Sequence, residues 1–328
     1  MKIETNETSR RGFLRMLGAA GAAAAMPSLP AAAAAAAGRR HDPALTLLFS
    51  DSHVNGSRDA GLPHYQAERL EKAVSRVLAM DPLPARAVFF GDMAYLWGMK
   101  EDYALAAKIL KPLRDAGIGL TVGMGNHDRR SAFLESFPEF AKTTKIPGRI
   151  VSVVDAGDAD IIMLDGLQGS DTRGRRDMGP GSGSLCKDQQ DWLMAELPKW
   201  RRPVFVCSHW TSGDFTVGEK KMHKFLIDIP AVAGYIHGHD HFWKTYVRWE
   251  SWKSPRILKS LCLPSTGHWG DIGWALMRTS SDKATVSLDI DDWYFPEPRP
   301  GLPGADFALW KKNLEEKRGL TCTFTLKS

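Results

Sequence analysis

Five short apolar segments of this chain each end directly in a polar fragment that carries Asp, Asn or His side chains. The segments are rich in β-branched and aromatic residues and are bounded by Gly, Pro or polar residues, which is typical of buried strands. The carboxyl ends of neighbouring parallel strands meet at one edge of a sheet, so the polar fragments can converge although they lie far apart in sequence. The segments are Leu45–Phe49, Ala87–Phe90, Leu120–Val122, Val204–Val206 and Tyr235–Ile236.

The polar fragments together offer the side chains that two divalent metal ions need. Six carboxylate and imidazole groups and one amide, with no thiolate among them, favour hard or borderline ions such as Mn, Fe or Zn. Two such ions can bind one phosphoryl group and share a hydroxide that attacks it. The fragments are Asp51-Ser52-His53, Gly91-Asp92, Gly125-Asn126-His127-Asp128, His209 and Gly238-His239-Asp240-His241.

Taken one at a time, three of these fragments have ordinary structural explanations. Asp51-Ser52-His53 would more often be a capped turn, Gly91-Asp92 a turn at a strand end, and His209 a hydrogen-bonded histidine. The two histidines of Gly238–His241 already favour metal, because alternate residues of an extended segment point to the same side. The presence of all five fragments in order favours a metal centre over chance.

These blocks resemble the pattern of the calcineurin-like metallophosphoesterase family, in which DxH, GD, GNH with a following acid, a lone His and GHxH occur in this order. The resemblance covers roughly residues 44–290, and the GNHD and GHDH blocks are its specific parts. It implies an α/β fold, a four-layer αββα sandwich of two mixed β-sheets with the metal site at the strand C-terminal ends. It also implies a hydrolase of phosphoric esters, in which a metal-bridging hydroxide attacks phosphorus in line.

The resemblance also implies a role for each matching residue. The first metal ion would be held by Asp51, His53 and His241. The second would be held by Asn126, His209 and His239. Asp92 would bridge both ions, and His127 would act at the leaving-group oxygen, as proton donor or as stabiliser of the transition state, without being a ligand.

Tyr95 departs from the family's subgroups. It lies three residues beyond Asp92, where the related protein Ser/Thr phosphatases have an Asp that orients the catalytic histidine. Purple acid phosphatases have an iron-binding Tyr at this position, but their first block has Gly where this chain has His53. We expect His53 to be the ligand and Tyr95 to pack beside the site or to contact a ligand.

The N-terminus carries a twin-arginine export motif, Ser9–Arg15, followed by an Ala- and Gly-rich segment, Met16–Ala37. A membrane-spanning helix is the alternative, but the segment is mostly Ala and Gly and contains two prolines. We therefore predict a signal peptide over residues 1–37, cleaved within its alanine run, and one catalytic domain over residues 38–328. The mature protein would be periplasmic or secreted, with the twin-arginine translocase as its partner during export and no permanent membrane anchor.

The composition fits one exported enzyme domain. About 290 residues remain after the signal, near the upper size for a single core, and no linker-like tract separates the motif blocks. The formal net charge is +5 with the basic residues scattered, so no nucleic-acid binding is predicted, whereas a small phosphorylated substrate is compatible with it. The four cysteines have no CxxC spacing, so a structural zinc site is not expected, and the sequence does not show which of them could pair.

Amphipathic helical patterns lie between the motif strands, and further apolar runs predict antiparallel strands. The helices are expected at Tyr65–Met80, Asp102–Ala116, Arg130–Phe140, Asp188–Trp200 and Lys220–Ile227, with a surface helix at Phe307–Arg318. The further strands are expected at Ile150–Val154, Asp160–Leu164, Arg256–Leu263, Trp274–Arg278 and Ala284–Ile290.

The motifs leave the choice of substrate open. The GNHD block is followed by Arg129-Arg130, which resembles the bacterial branch that contains cyclic-nucleotide phosphodiesterases and favours a diester. The alternatives are a phosphomonoesterase of the acid-phosphatase or nucleotidase type, and a metal- or phosphate-binding protein without catalysis. His268 could touch the substrate. So could four tryptophans near the motif blocks, which otherwise belong to core or rim packing: Trp97, Trp210, Trp243 and Trp269.

Overall fold

Two six-stranded mixed β-sheets form the centre of the structure, and helices cover their outer faces. The structure, a computed structural model, describes residues 28–36, 38–57, 65–168, 183–249, 257–294, 312 and 314–326. The strands are β1 (His41–Phe49), β2 (Leu83–Phe89), β3 (Gly119–Val122), β4 (Ser152–Asp155), β5 (Asp160–Met163), β6 (Val204–Cys207), β7 (Thr216–Val217), β8 (Lys220–Lys221), β9 (Val232–His237), β10 (Lys244–Trp249), β11 (Ile257–Cys262), β12 (Gly270–Thr279), β13 (Lys283–Tyr294) and β14 (Thr321–Thr325). The helices are α1 (Leu29–Ala36), α2 (Tyr65–Leu78), α3 (Lys100–Asp115), α4 (Arg130–Ser136), α5 (Phe140–Thr143), α6 (Lys187–Glu196) and α7 (Met222–Ile227), with a 3₁₀ turn at Leu197–Lys199 after α6.

The strand order brings the motif strands together. The first sheet has the order β14-β13-β12-β1-β2-β3, and the second has the order β10-β11-β9-β6-β5-β4. Within the first sheet β1, β2 and β3 are parallel, and within the second β5, β6, β9 and β11 are parallel. Since parallel strands run the same way, the carboxyl ends of the five motif strands (β1, β2, β3, β6 and β9) can meet.

Side-chain alternation along the central strands produces two apolar cores. Leu47 and Phe49 of β1 pack on the helical side, in the same cluster as Val74 of α2. Leu48 lies between them in sequence and packs on the other side, in a cluster that contains Phe205 of the second sheet. Consecutive side chains of a strand point to opposite faces, so one apolar run serves both cores. The predicted four-layer αββα sandwich with two mixed sheets is thereby confirmed.

Several predicted elements divide or change partner. The helix predicted at residues 130–140 divides into α4 and α5, because Phe137, which precedes Pro138, has a non-helical φ of −133°. The helix predicted at residues 220–227 begins only at Met222, because β8 pairs with β7. β11 lies in the second sheet, between β9 and β10, and not with β12 and β13 as its place in the sequence suggests. The edge strand β14 has no counterpart in the sequence-based prediction.

The predicted signal peptide is described only in its last part. The twin-arginine motif lies outside the described residues, as does half of the helix predicted at residues 307–318. The alanine run forms α1, which packs on α2 and α3 with Ala32 and Ala36 buried. Among the described residues, no helix combines the length and the apolar character that crossing a bilayer requires. The predicted cleavage and export stay predictions.

A buried ion pair joins the loops behind the polar edge of the sheets. Arg130, the first residue of α4, bonds through Nε and Nη2 to the two carboxylate oxygens of Asp165, at 2.6 and 2.7 Å. Asp165 follows β5 and also accepts the backbone N–H groups of Ile150 and Leu167. The Asp165 side chain is fully buried, so its negative charge is stable there only with these partners.

Asp165→Asn is expected to lower the free energy of unfolding by about 3–5 kcal/mol, because it leaves the Arg130 guanidinium buried without a counter-charge. Urea denaturation measures this change. Lys111→Ala, which breaks the exposed pair of Lys111 with Asp115, is the control and should cost no more than about 0.5 kcal/mol. Equal losses in the two variants would contradict a special role of the buried pair.

Candidate metal centre

The structure brings all seven predicted ligand side chains into one cluster at the carboxyl edge of the sheets. They lie in the loops after β1, β2, β3, β6 and β9, where the apolar runs give way to polar residues. All are buried except the half-buried His239. The seven are Asp51, His53, Asp92, Asn126, His209, His239 and His241.

The first group consists of Asp51, His53 and His241, whose ligand atoms all lie within 4.8 Å of one another. His241 Nε2 is 3.1 Å from Asp51 Oδ1 and 3.4 Å from His53 Nε2. These are the three residues for which the resemblance implies the first metal ion. A carboxylate oxygen and two imidazole nitrogens directed at one point suit Mn, Fe or Zn.

The second group consists of Asp92, His209 and His239, whose ligand atoms also lie within 4.8 Å of one another. His209 Nε2 is 3.2 Å from Asp92 Oδ2, 3.1 Å from His239 Nδ1 and 3.0 Å from Asn126 Oδ1. Asp92 Oδ2 is also 3.7 Å from His53 Nε2 of the first group. The Asp92 carboxylate therefore lies between the two groups, where a bridging ligand has to be.

The donor atoms of both groups fit metal ions better than they fit hydrogen bonding alone. Asp51 Oδ1 is buried and has no hydrogen bond of suitable geometry, although His241 Nε2 is 3.1 Å away. Buried carboxylate oxygens normally have a partner. Two pairs of imidazole nitrogens also face each other, and such a pair can share only one proton. A cation can be bound by the carboxylate and several imidazole lone pairs at once, which no set of hydrogen bonds can match.

The backbone is strained at the predicted ligands. Six non-glycine residues of the described chain have positive φ, and five of them are predicted ligands with φ between 46° and 72°. Such a conformation costs a non-glycine residue about 1–3 kcal/mol and persists where its surroundings enforce it. It turns the chain sharply after β1, β2 and β9, so that the side chains point inward. The five are Asp51, His53, Asp92, His239 and His241.

Two glycines allow the polar loops to touch. A Cβ on Gly125 would lie 2.1 Å from Asp92 Oδ1, and a Cβ on Gly238 would lie 2.6 Å from Asp51 Oδ2. Only glycine fits at such contacts, which explains the Gly of the GNH and GH blocks. The close approach also lets the His239 backbone N–H donate to Asp51 Oδ2 at 3.1 Å.

Backbone carbonyls orient two of the histidine rings. His209 Nδ1 donates to the carbonyl oxygen of Phe90 at 2.9 Å, and His241 Nδ1 donates to that of Trp269 at 3.0 Å. Because a carbonyl oxygen only accepts, Nδ1 carries the donated proton in both rings, and Nε2 is the nitrogen that faces the cluster. Such contacts fix the ring and make it a better metal ligand.

His127 lies at the open side of the cluster, with its side chain 29% exposed. Its Nε2 is 4.0 Å from Asp92 Oδ2, and its backbone N–H donates to Asp92 Oδ1 at 2.8 Å. Its Nδ1 lies 3.0 Å from the carbonyl oxygen of Leu96. His127 is thus beside the predicted ligands and reachable from the cavity, as contact with a leaving group requires.

Burial and neighbouring charges set the protonation of the cluster. Burial lowers the pKa of His53 well below its ordinary value, so His53 is neutral, the form that binds metal. Burial raises the pKa of Asp92, but the charges of His209 and His127 outweigh it and hold that pKa well below its ordinary value. Burial lowers the pKa of His209, but the carboxylates of Asp92 and Asp51 raise it to about 9. The two carboxylates therefore favour a positive charge at the position of His209.

Asp128 and Tyr103 tie the GNHD loop to the GD loop. Asp128 accepts the backbone N–H groups of Ala94 and Gly125 at 3.2 and 2.9 Å and the Tyr103 hydroxyl at 3.0 Å. The Tyr103 oxygen accepts the backbone N–H of Arg129 at 2.7 Å. Burial raises the pKa of Asp128 to about 6. Neither residue has a role predicted from the sequence. The acid of the GNHD pattern could have pointed to Asp128. No sequence pattern marks Tyr103, which is one residue of a helix.

A third polar group, His237, Asp240 and Cys262, lies at the base of the GHDH loop. His237 Nδ1 and Cys262 Sγ donate to the carbonyl oxygen of Gly238, at 2.9 and 3.4 Å. Burial lowers the pKa of His237 to about 4 and raises that of the Cys262 thiol, so both are neutral. These bonds hold the backbone that precedes His239. All four cysteines of the chain are free thiols.

A cavity of about 710 Å³ opens over the cluster, a size typical of sites for small molecules. Of the four tryptophans considered as substrate contacts, Trp210 is fully buried, Trp97 is half-buried, and the other two line the cavity. Beyond the predicted ligands and His127, the lining comprises Asp240, Phe242, Trp243, Lys244, Tyr246, His268, Trp269 and Lys317.

His268 and Tyr95 pack beside the first group. The His268 ring centroid is 4.4 Å from that of His53, and the Tyr95 ring meets His268 edge-on at 5.9 Å. Burial lowers the pKa of His268 to about 3 and raises that of Tyr95. Both are therefore neutral near pH 7. The expectation that Tyr95 packs beside the site and is not a ligand stays a prediction.

The fold and this site define a metallophosphoesterase. A sequence profile of the calcineurin-like phosphoesterase family matches residues 45–242, and the chain belongs to this family.

Comparisons with known proteins agree with this class. The chain is 32% identical over 169 residues to a probable cyclic nucleotide phosphodiesterase of Rhodopseudomonas palustris, a match that covers 50% of this chain and 56% of that protein. The chain thus spans little more than half the length of this curated relative. A dimetal phosphatase from Danio rerio has a similar structure, with a TM-score of 0.56 and 14% identity over 75% of this chain and 96% of that chain. A purple acid phosphatase from yellow lupin, Lupinus luteus, has a TM-score of 0.52 and 11% identity over 85% of this chain and 53% of that chain. At these identities the two structures show a shared fold.

Asp92→Asn is expected to remove metal from both groups, because the amide keeps the shape of the side chain but loses the charge that lies between them. Elemental analysis of purified protein should show a fall from about two transition-metal ions per chain to fewer than about one. Asp240→Asn, in the same cavity but outside both groups, is the matched control and should keep its ions. Full metal content in Asp92→Asn would contradict a bridging position.

Proposed function

We propose that this protein is a phosphodiesterase that uses two divalent ions of Mn, Fe or Zn in the two groups around Asp92. The observation that carries the proposal is the Asp92 carboxylate, whose Oδ2 lies 3.2 Å from His209 Nε2 and 3.7 Å from His53 Nε2. The relative from R. palustris, a probable cyclic nucleotide phosphodiesterase, supports a diester. When bound, two such ions neutralise the phosphoryl oxygens and lower the pKa of an attacking water.

The chain's own side chains would hold the ions in two sets that share Asp92. The first set is Asp51, His53 and His241. The second set is Asn126, His209 and His239. The amide of Asn126 is neutral, so the second set carries less negative charge than it would with another carboxylate, which favours an anionic substrate.

His127 is the proposed proton donor. As the bond between phosphorus and the leaving oxygen breaks, a proton passes from His127 Nε2 to that oxygen and the alcohol departs. The oxygen of the attacking water forms the new bond to phosphorus on the opposite side. The water's proton passes to solvent, from which His127 Nε2 takes up a proton again. Asp92 accepts the backbone N–H of His127, so the shared carboxylate and the proton donor keep a fixed distance.

The lining of the cavity supports a diester. Phe242 and Trp269 form an aromatic wall beyond the predicted ligands, with their ring centroids 5.8 Å apart. The exposed Lys244 adds positive charge at the same side. A planar or apolar second ester group can pack on such a wall, whereas the phosphate of a simple monoester does not need it.

Hydrolysis of bis-p-nitrophenyl phosphate and of p-nitrophenyl phosphate by one metal-loaded sample tests the proposed function. Faster turnover of the diester is expected, with loss of both activities after chelation and recovery with Mn, Fe or Zn. Preference for the monoester would replace the proposal by a phosphomonoesterase. Two bound ions without turnover of either ester would favour a binding protein.

His127→Ala is expected to keep both ions and to lower kcat about 10²- to 10⁴-fold for a diester with an alkyl leaving group, because proton donation is lost. Steady-state kinetics and elemental analysis on the same preparation measure the two effects. His41→Ala, which removes a histidine from the opposite end of β1, is the control and should leave both unchanged. Unchanged kcat in His127→Ala would exclude proton donation by this residue.

We further propose that residues 1–37 direct export by the twin-arginine pathway to the periplasm or the exterior. The support is the Arg10-Arg11 pair ahead of the Ala- and Gly-rich segment. Arg10→Lys combined with Arg11→Lys should retain the protein in the cytoplasm, as cell fractionation would show. The pair Arg39→Lys and Arg40→Lys, just past the segment, is the matched control and should be exported. Equal export of both double variants would contradict the proposal.

A further inference from the structure

We propose that the backbone carbonyl of Leu96 is the positioning group that directs the ring of His127 toward the leaving group. Leu96 would act on the proton donor of the proposed function, so this role depends on that function. Three features support it: the contact between the two residues, the conformation of Leu96, and the attachment of its turn to the loops on either side.

The contact joins the His127 ring to the main chain of the loop after β2. His127 Nδ1 lies 3.0 Å from the carbonyl oxygen of Leu96. A carbonyl oxygen only accepts, so Nδ1 carries a proton and Nε2 is the ring nitrogen left for the cavity. The backbone of His127 is held as well, because its N–H donates to Asp92 Oδ1 at 2.8 Å. The position and the rotation of the ring are both set.

Leu96 adopts an unusual conformation to make this contact. Its φ is 41°, in the left-handed region, where the Cβ of an L-residue is crowded against its own backbone. The other five non-glycine residues with positive φ in the described chain are all predicted metal ligands. Strained backbone of this kind concentrates at functional sites. An ordinary negative φ would turn the Leu96 carbonyl away from His127.

The turn that contains Leu96 is attached on both sides. The Tyr95 backbone N–H donates to the carbonyl oxygen of Val54 at 3.0 Å, which ties the turn to the loop of the first group. The Tyr95 carbonyl oxygen accepts the N–H groups of Trp97 and Gly98 within the turn. A Cβ on Gly98 would lie 2.9 Å from the carbonyl oxygen of His127, so only glycine allows the turn to lie this close to the GNHD backbone.

A main-chain group, and not a side chain, is the partner of His127 Nδ1. The side chain of Tyr95, the residue before Leu96, lies against His268. The next residue supplies the acceptor through its carbonyl instead. A neutral carbonyl orients the ring without placing a further negative charge beside an anionic substrate.

Leu96→Pro tests this role, because the proline ring fixes φ at about −65° and excludes the observed turn. In the zinc-loaded full-length protein it should lower kcat about 10²-fold for a diester with an alkyl leaving group. It should lower kcat far less for bis-p-nitrophenyl phosphate, whose leaving group departs without a proton, and metal content should stay unchanged. Leu96→Gly is the matched control, since glycine adopts positive φ freely and keeps the carbonyl, and it should behave like the wild type.

Two further measurements separate orientation of the ring from general damage. In a His127→Ala background Leu96→Pro should cause no further loss of kcat, because no ring is left to orient. Nitrogen NMR of zinc-loaded protein should show a hydrogen-bonded proton on His127 Nδ1 in the wild type and in Leu96→Gly, and its loss in Leu96→Pro. If Leu96→Pro does not fold, Gly98→Ala should give the same pattern, because its added Cβ displaces the turn.

Three outcomes would overturn the role of Leu96: equal losses on both esters, a further loss in the His127→Ala background, or a wild-type His127 Nδ1 without a proton. Wild-type protein that hydrolyses neither ester with any of the metals would overturn the proposed function instead. In that case the NMR comparison would still decide whether the Leu96 carbonyl orients the ring.

Discussion

The two buried carboxylates at the sheet edge, Asp51 and Asp92, are the constraint on which the rest of the structure depends. Buried charge is tolerated only with counter-charges and hydrogen bonds around it. Each of the two carboxylates accepts a backbone N–H from a different motif loop, that of His239 on Asp51 and that of His127 on Asp92. Imidazole nitrogens of His209 and His241 from the second sheet and of His53 from the first complete the surroundings. The same two side chains thus hold together loops that the chain visits far apart.

Bringing so many polar groups to one point strains the backbone. The left-handed conformations occur at the ligands and at Leu96, and the glycines occur where one loop touches another. Such local strain persists because the surrounding structure enforces it. Below the cluster, the core between the sheets and the core under the helices are closely packed with large apolar side chains such as Phe49 and Phe205. Rigid strands therefore fix the positions of the loops, and the loops carry the predicted ligands and His127.

Much of the fold could be predicted from sequence, because a buried strand needs a short apolar run and this requirement is local. The five motif strands lie where the apolar runs place them, and the helices between them differ mainly at their ends. The sheet to which a strand belongs is not a local property. β11 is the example, since its apolar run suits either sheet and only its pairing with β9 and β10 decides. Phe137 shows the same limit on a small scale, where a proline divides an otherwise regular helical pattern.

The sequence by itself determined the family, the strand-end location of the site and the residues that converge there, because carboxylate, amide and imidazole side chains in this order form the pattern of one family. Only the tertiary structure decided how they meet. It placed the Asp92 carboxylate between two groups and turned the Leu96 carbonyl toward His127. It also joined Asp128 and Tyr103 by the hydrogen bond that ties the GNHD loop in place. The physical reason is that the sequence specifies the chemical identity of each side chain, whereas every residue has the same backbone carbonyl. Its direction depends on φ and ψ, which the surrounding loops impose.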